Sequence, residues 1–252
     1  MSVRTEADGP LLLITIDRPE ARNAVNAAVA QGIAEALDRL DADDALQVAI
    51  LTGAGGFFCA GMDLKSFVAG ERPHVEGRGF AGIVEHGPRK PIIAAIEGFA
   101  VAGGFEVALA CDLIVAARGV RLGIPEVKRS LVAAGGALLR LPRRMPYHLA
   151  MEMALTGDPI TAERAHEVGV VNRLSPPGRA VDVARELAGA ITPNGPLALD
   201  ATKRILQEAP DWPLEEAWER QAAIAGPVFG SEDAREGAVA FADKRPPVWR
   251  AR

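Results

Sequence analysis

The chain is 252 residues long and is short of several things. Its two cysteines, Cys59 and Cys111, cannot build a disulfide scaffold and point to a reducing compartment. Aromatic residues are few, at eight Phe, three Trp and one Tyr. Positive charge is not in surplus: 28 Lys and Arg stand against 33 Asp and Glu, which argues against a nucleic acid or polybasic membrane contact. No uncharged apolar run approaches the ~20 residues of a spanning helix, because Glu97, Glu106 and Asp112 break the most apolar stretch, residues 91–117. The first ten residues carry Arg4, Glu6 and Asp8 and no apolar segment, so no secretory leader is expected and the cytoplasm is the expected location.

What is abundant is small. The 46 alanines and 26 glycines suggest close backbone packing, and 49% hydrophobic content argues against disorder. A chain of this length can bury a large core.

Leu11–Ile16 reads as a strand stopped by Asp17, Arg18 and Pro19. Asn26 is a good cap for a helix over residues 27–40, where Val29, Ile33, Leu37 and Leu40 recur at helical spacing. Further strands are expected at residues 48–51, 92–96 and 113–115, with a helix-length apolar segment between the last two and a short strand near Val170, Val171 and Leu174. Helices are expected over 181–191, 197–208, 214–224 and 234–242, separated by Pro or Gly. Strands alternating with helices give an α/β class. Residues 1–195 read as the α/β core and 196–252 as a C-terminal helical region that is not an independent domain. Residues 69–90, rich in glycine and mixed charge, read as a mobile loop of the kind that lines sites.

The common nucleotide motifs fail on their own terms. Gly53-Ala54-Gly55 follows a strand, but Phe58 occupies the sixth position of the dinucleotide fingerprint. Gly56 and Gly61 have phosphate-loop spacing, but Met62-Asp63 stand where Lys and Ser or Thr are required. Four scattered histidines and two separate cysteines offer no metal spacing, and no Gly-x-Ser-x-Gly elbow is present.

Two glycine-rich segments remain: Phe58-Cys59-Ala60-Gly61-Met62-Asp63-Leu64, and Ile96 through Glu106 with Ala102-Gly103-Gly104 near its end. Each follows a strand and leads toward a helix. Small residues there serve tight packing, or leave backbone N–H groups bare for a ligand. Two such groups converging on one point would form an oxyanion hole. Glu106 sits in an otherwise apolar helix and must be paired or functional, since burying a lone carboxylate is costly. Glu126, after Pro125, reads locally as an exposed first-turn helix residue.

These segments, taken in order with Lys90-Pro91-Ile92-Ile93-Ala94-Ala95-Ile96, Cys111-Asp112-Leu113-Ile114 and Gly123-Ile124-Pro125-Glu126, resemble the crotonase (enoyl-CoA hydratase/isomerase) superfamily. The likeness spans nearly the whole chain, from Arg18-Pro19-Glu20-Ala21-Arg22-Asn23-Ala24 to Phe241-Ala242-Asp243-Lys244-Arg245. The resemblance implies a ββα superhelix with a C-terminal helical trimerisation region, and a homotrimer or dimer of trimers. It implies that Met62 and Gly103 donate the two oxyanion N–H groups to an acyl-CoA thioester, each worth roughly 3 kcal/mol. It assigns Glu106 to orient and activate water and Glu126 to exchange a proton with C2 of a 2-trans-enoyl-CoA, two carboxyls for the two proton transfers of hydration. CoA contacts map onto Ala21, Arg22, Ala24, Ala60, Asp63, Leu64 and Lys65, with Phe241 and Lys244 reaching a neighbouring subunit's CoA. No cofactor or metal is implied, coenzyme A being part of the substrate. Many relatives with other chemistry lack one of the two glutamates, so keeping both favours a hydratase.

The chain departs from common hydratases after Glu126. Ser130-Leu131-Val132-Ala133-Ala134 precedes Gly135-Gly136, where a Gly and a Pro are usual. Leu139-Arg140-Leu141-Pro142 also resembles carnitinyl-CoA dehydratase-like branches. The alternatives are therefore another crotonase reaction, such as isomerisation or carnitinyl-CoA dehydration, or an acyl-CoA-binding relative without catalysis.

Overall fold

Parallel strands buried on both faces read as unbroken apolar runs, and that is how this chain builds its centre. The computed structural model describes residues 2–252. The chain packs as two units, residues 2–88 with 92–188, and residues 89–91 with 189–252.

In the first unit, β1 (Val3–Asp8) and β2 (Leu11–Ile16) form an antiparallel hairpin, followed by α1 (Ala27–Ala42) and β3 (Val48–Gly53). A short helix α2 (Leu64–Val68) and a small hairpin, β4 (His74–Val75) with β5 (Gly79–Phe80), come next. Then follow β6 (Ile92–Ile96), β7 (Phe99–Val101), α3 (Gly103–Ala110), β8 (Leu113–Ala117) and β9 (Arg121–Gly123). The unit continues through α4 (Ala137–Arg144), α5 (Tyr147–Thr156), β10 (Ile160–Thr161), α6 (Ala162–Glu167) and β11 (Arg173–Ser175) to residue 188 of α7 (Ala180–Ile191). The main sheet runs β1-β2-β3-β6-β8-β11, and every pair beyond the first is parallel. A second sheet, β10-β9-β7, receives the chain immediately after β6 and β8. The strand–strand–helix passage β6-β7-α3 therefore steps from one sheet to the other before its helix, as the expected ββα superhelix requires.

The expected elements form, two of them displaced: the helix expected over 214–224 spans Ala217–Phe229, and the strand expected near Val170, Val171 and Leu174 spans Arg173–Ser175. Asn26 caps α1 by accepting from the Val29 N–H, and Val29, Ile33, Leu37 and Leu40 are its buried stripe. The expectation of a mobile loop over residues 69–90 meets a different arrangement. Phe80, Ala81, Ile83 and Val84 are buried, anchoring that segment in the core.

Residues 18–24 are fixed by one side chain. Asn23 is fully buried; its Nδ2 donates to Ala54 O (2.9 Å) and Phe57 O (2.8 Å), and its Oδ1 accepts from Arg18 N (3.0 Å). Asn23→Ala strands two carbonyls and one N–H. It is expected to cost about 2–4 kcal/mol, read as a lower urea midpoint with an unchanged slope.

The second unit contains α8 (Pro196–Glu208), α9 (Ala217–Phe229) and α10 (Glu232–Ala242). Asp233 secures the chain end, accepting from Arg250 N and Ala251 N. Among the described residues no helix is long and apolar enough to cross a membrane.

Candidate active site

The two glycine-rich segments lie side by side. Phe58 N donates to Glu97 O (3.0 Å), Cys59 N to Phe99 O (3.4 Å) and Val101 N to Cys59 O (3.2 Å). This short ladder ties the segment after β3 to β7. On its other flank, Ala60 N donates to Arg22 O, Val25 N to Gly61 O and Asp63 N to Val25 O. These bonds satisfy residues on either side of Met62. Among the described residues, the N–H of Met62 and the N–H of Gly103, the first residue of α3, meet no acceptor. The first N–H groups of a helix have no intrahelical partner and carry partial positive charge.

The loops touch where those N–H groups lie. Gly61 has φ +94°, and a Cβ there would stand 2.9 Å from Gly103 N. A Cβ on Gly103 would stand 2.7 Å from the Phe80 ring. Ala102, just before α3, has φ 52° and ψ −135°, a strained conformation for a residue with a side chain.

One cavity of about 540 Å³ is lined by Ala60, Met62, Leu64, Gly103, Glu106 and Glu126. The structure thus brings together both expected N–H donors and both expected carboxyls. Glu106 is only 4% exposed, and its Oε1 accepts from Ala137 N at 3.2 Å. Burial pushes its carboxyl up to about 7; the Ala137 N–H opposes this, Glu126 adds repulsion, and the Gly135 N–H and then Arg140 oppose it more weakly. Glu126 stands in a 3-10 turn, Pro125–Arg129. It is half-buried rather than exposed as its local context suggested, and its Oε2 is buried without a hydrogen-bond partner. Burial raises its pKa, against its own backbone N–H and the charge of Arg129.

The residues expected to meet CoA divide into groups. Ala21, Arg22 and Ala24 lie on the turn held by Asn23, with Arg22 exposed. Asp63 caps α2, accepting from Lys65 N and Ser66 N, and pairs with Arg18 at 3.0 Å. Burial pushes the Asp63 carboxyl upward, but the Ser66 N–H and Arg18 outweigh it and hold its pKa low. Lys65 is exposed on the same short helix. Phe241, 87% exposed, and Lys244 belong to the second unit.

Phe67, Arg72, His74 and Phe80 also line the cavity; the sequence placed their segment beside a site without singling them out, and it gave no sign of Arg129, which lines it too. Apart from Arg129, three residues after Glu126, they fall in or beside the segment read as a loop, and no spacing signals their convergence.

A glutamate pair beside two free N–H groups can move protons on either side of one double bond while negative charge is held on a nearby oxygen. The model of the enoyl-CoA hydratase/isomerase family matches residues 6–252. Enoyl-CoA hydratase EchA19 of Mycobacterium tuberculosis is 43% identical, covering 98% of this chain and 96% of that protein. Carnitinyl-CoA dehydratase of Salmonella enteritidis is 42% identical, covering 100% and 99%. The crystal structure of enoyl-CoA hydratase EchA1 from Mycobacterium marinum matches with a TM-score of 0.98 at 60% identity, covering 100% of this chain and 99% of that one.

Proposed function

The chain belongs to the enoyl-CoA hydratase/isomerase family, and we propose that it adds water reversibly across the C2=C3 bond of a 2-trans-enoyl-CoA to give a 3-hydroxyacyl-CoA. The observation that carries this reading is that Met62 and Gly103, whose N–H groups meet no acceptor among the described residues, line one cavity with Glu106 and Glu126. The thioester oxygen sits between the two N–H groups, which stabilise the enolate as it forms. Glu106 orients the water and accepts its proton as oxygen bonds to C3. Glu126 delivers a proton to C2. The charge balance requires one carboxyl ionised and one protonated, and both have pKa values raised by burial.

The CoA moiety lies along Ala21, Arg22, Ala24, Ala60, Asp63, Leu64 and Lys65 in this reading, and Phe241 and Lys244 contribute from an adjacent copy. Exposed apolar side chains of the second unit, Trp218, Phe229 and Phe241 among them, favour assembly into a trimer or a dimer of trimers. Sedimentation equilibrium is expected to give three or six times 26.5 kDa.

Hydration is tested by loss of enoyl absorbance on a series from crotonyl-CoA to longer chains. Mass spectrometry must show the gain of one water, since isomerisation leaves mass unchanged. The similarity to carnitinyl-CoA dehydratase makes carnitinyl-CoA the second substrate to test, because dehydration there runs the same proton transfers in reverse. Thioester binding without turnover of any substrate would overturn the reading.

A further inference from the structure

Residues 135–137 lie between two opposite charges. On one side is Glu106: Ala137 N donates to its Oε1 at 3.2 Å, and a Cβ on Gly135 would stand 2.6 Å from its Oε2. On the other side is Arg140, one turn into α4. Its Nη1 donates to Gly135 O at 3.4 Å, and a Cβ on Gly136, φ +100°, would stand 2.0 Å from that nitrogen. Two successive glycines leave the strip bare on both faces, so the carboxyl and the guanidinium approach the same backbone. The second arm of the fork, Nη2, donates to Val84 O at 2.5 Å. Val84 belongs to the buried segment whose Phe80 packs over Gly103. Arg140 thus ties the backbone that holds Glu106 to the segment that covers an oxyanion donor.

We propose that Arg140 is a positioning residue for Glu106: through the Gly135-Gly136-Ala137 strip it fixes the carboxyl and supplies a half-buried counter-charge that favours its ionised form beside Glu126. This rests on the reading of Glu106 as the water-orienting carboxyl. A guanidinium suits the task because it stays charged when buried and presents a planar fork that bonds two carbonyls at once. Other charged or titratable groups face the pair. Glu126 is across the cavity, and His74, Arg72 and Arg129 line the same space. Arg144 lies one turn further along α4, its Nη1 donating to Leu109 O, and Cys111 ends α3. Among the described residues, Arg140 is the arginine that hydrogen-bonds to the strip.

The sign of the effect follows. Removing the cation makes ionised Glu106 less favourable, raises its pKa further and moves the rising limb of the kcat–pH profile to higher pH. In Arg140→Gln, kcat at pH 7 is expected to fall about 10- to 100-fold with KM within about threefold, and the limb to move to higher pH, so the deficit shrinks at pH 9. Arg140→Lys keeps the charge without the fork; it is expected to restore the limb but recover only part of kcat. On a Glu106→Gln background, Arg140→Gln is expected to cost less than about threefold, since its route of action is gone.

The titration of Glu106 can also be read directly, by 13C NMR of labelled glutamate assigned through Glu106→Gln. That signal must move upward in Arg140→Gln whether or not the enzyme turns over any enoyl-CoA, which separates this proposal from the hydratase reading. An unmoved limb and titration in a folded Gln variant, or an equal loss on both backgrounds, overturns the proposal. If the Gln variant does not fold, the Lys variant decides: full wild-type kcat, or a shifted limb despite retained charge, is the contrary result.

Discussion

Glu126→Gln is expected to slow hydration of crotonyl-CoA by about 10³- to 10⁴-fold, with KM changed by less than about fivefold. The amide is nearly isosteric but can neither give a proton to C2 nor take one back. Structural damage is not the cause expected, because Glu126 Oε2 is buried with no hydrogen-bond partner and the replacement breaks no bond there. Relieving a half-buried carboxyl with a raised pKa should leave the variant at least as stable as the wild type near neutral pH. The combination of intact or improved stability with a lost rate is the diagnostic outcome. A folded Glu126→Gln enzyme that retains even a tenth of the wild-type rate would remove Glu126 from the proton transfer. Solvent-deuterium exchange at C2 of the product checks the same step, and should be lost together with hydration.

Much of this arrangement was legible in the sequence, for identifiable physical reasons. The α1 stripe and its Asn26 cap follow local rules, and the strongly apolar strands β2, β3 and β6 are buried in the parallel sheet. The glycine-rich segments and Glu106 stood out because bare backbone and a lone carboxylate in an apolar helix are both costly without a purpose. The parts that were not legible depend on distant partners. β1, Val3–Asp8, is an exposed edge strand whose polar sequence shows little strand character, and it is fixed by pairing with β2. β7, β9 and β10 are two or three residues long, too short for any periodic signal. Phe80 and Val84 were hidden among the glycines of residues 69–90, where composition outweighed four apolar side chains. The close approach of Glu106 and Arg140 to Gly135-Gly136 was invisible because it joins charges at positions 106 and 140, far apart in the chain.

Gly61→Ala is the second large loss expected, and it tests the oxyanion site without altering a titratable group. At φ +94° the alanine backbone is strained, and the added methyl stands 2.9 Å from Gly103 N and 2.9 Å from Ala102 Cβ. The methyl therefore blocks or displaces one of the two free N–H donors. Losing a single preorganised donor costs roughly 3–4 kcal/mol of transition-state stabilisation, so kcat is expected to fall about 10²- to 10³-fold. Strain alone is separated by Gly56→Ala, which carries a comparable φ of +79° with nothing within 4 Å of the new methyl. That control is expected to lose about 1–2 kcal/mol of stability and keep kcat within about threefold. The infrared stretch of the bound thioester carbonyl supplies a direct reading: lowered in the wild-type complex, it should return toward the free value in Gly61→Ala and stay lowered in Gly56→Ala. Equal rate losses in the two variants would mean that the loop acts through its fold and not through the Gly103 N–H, and would remove the oxyanion assignment from this pair of loops.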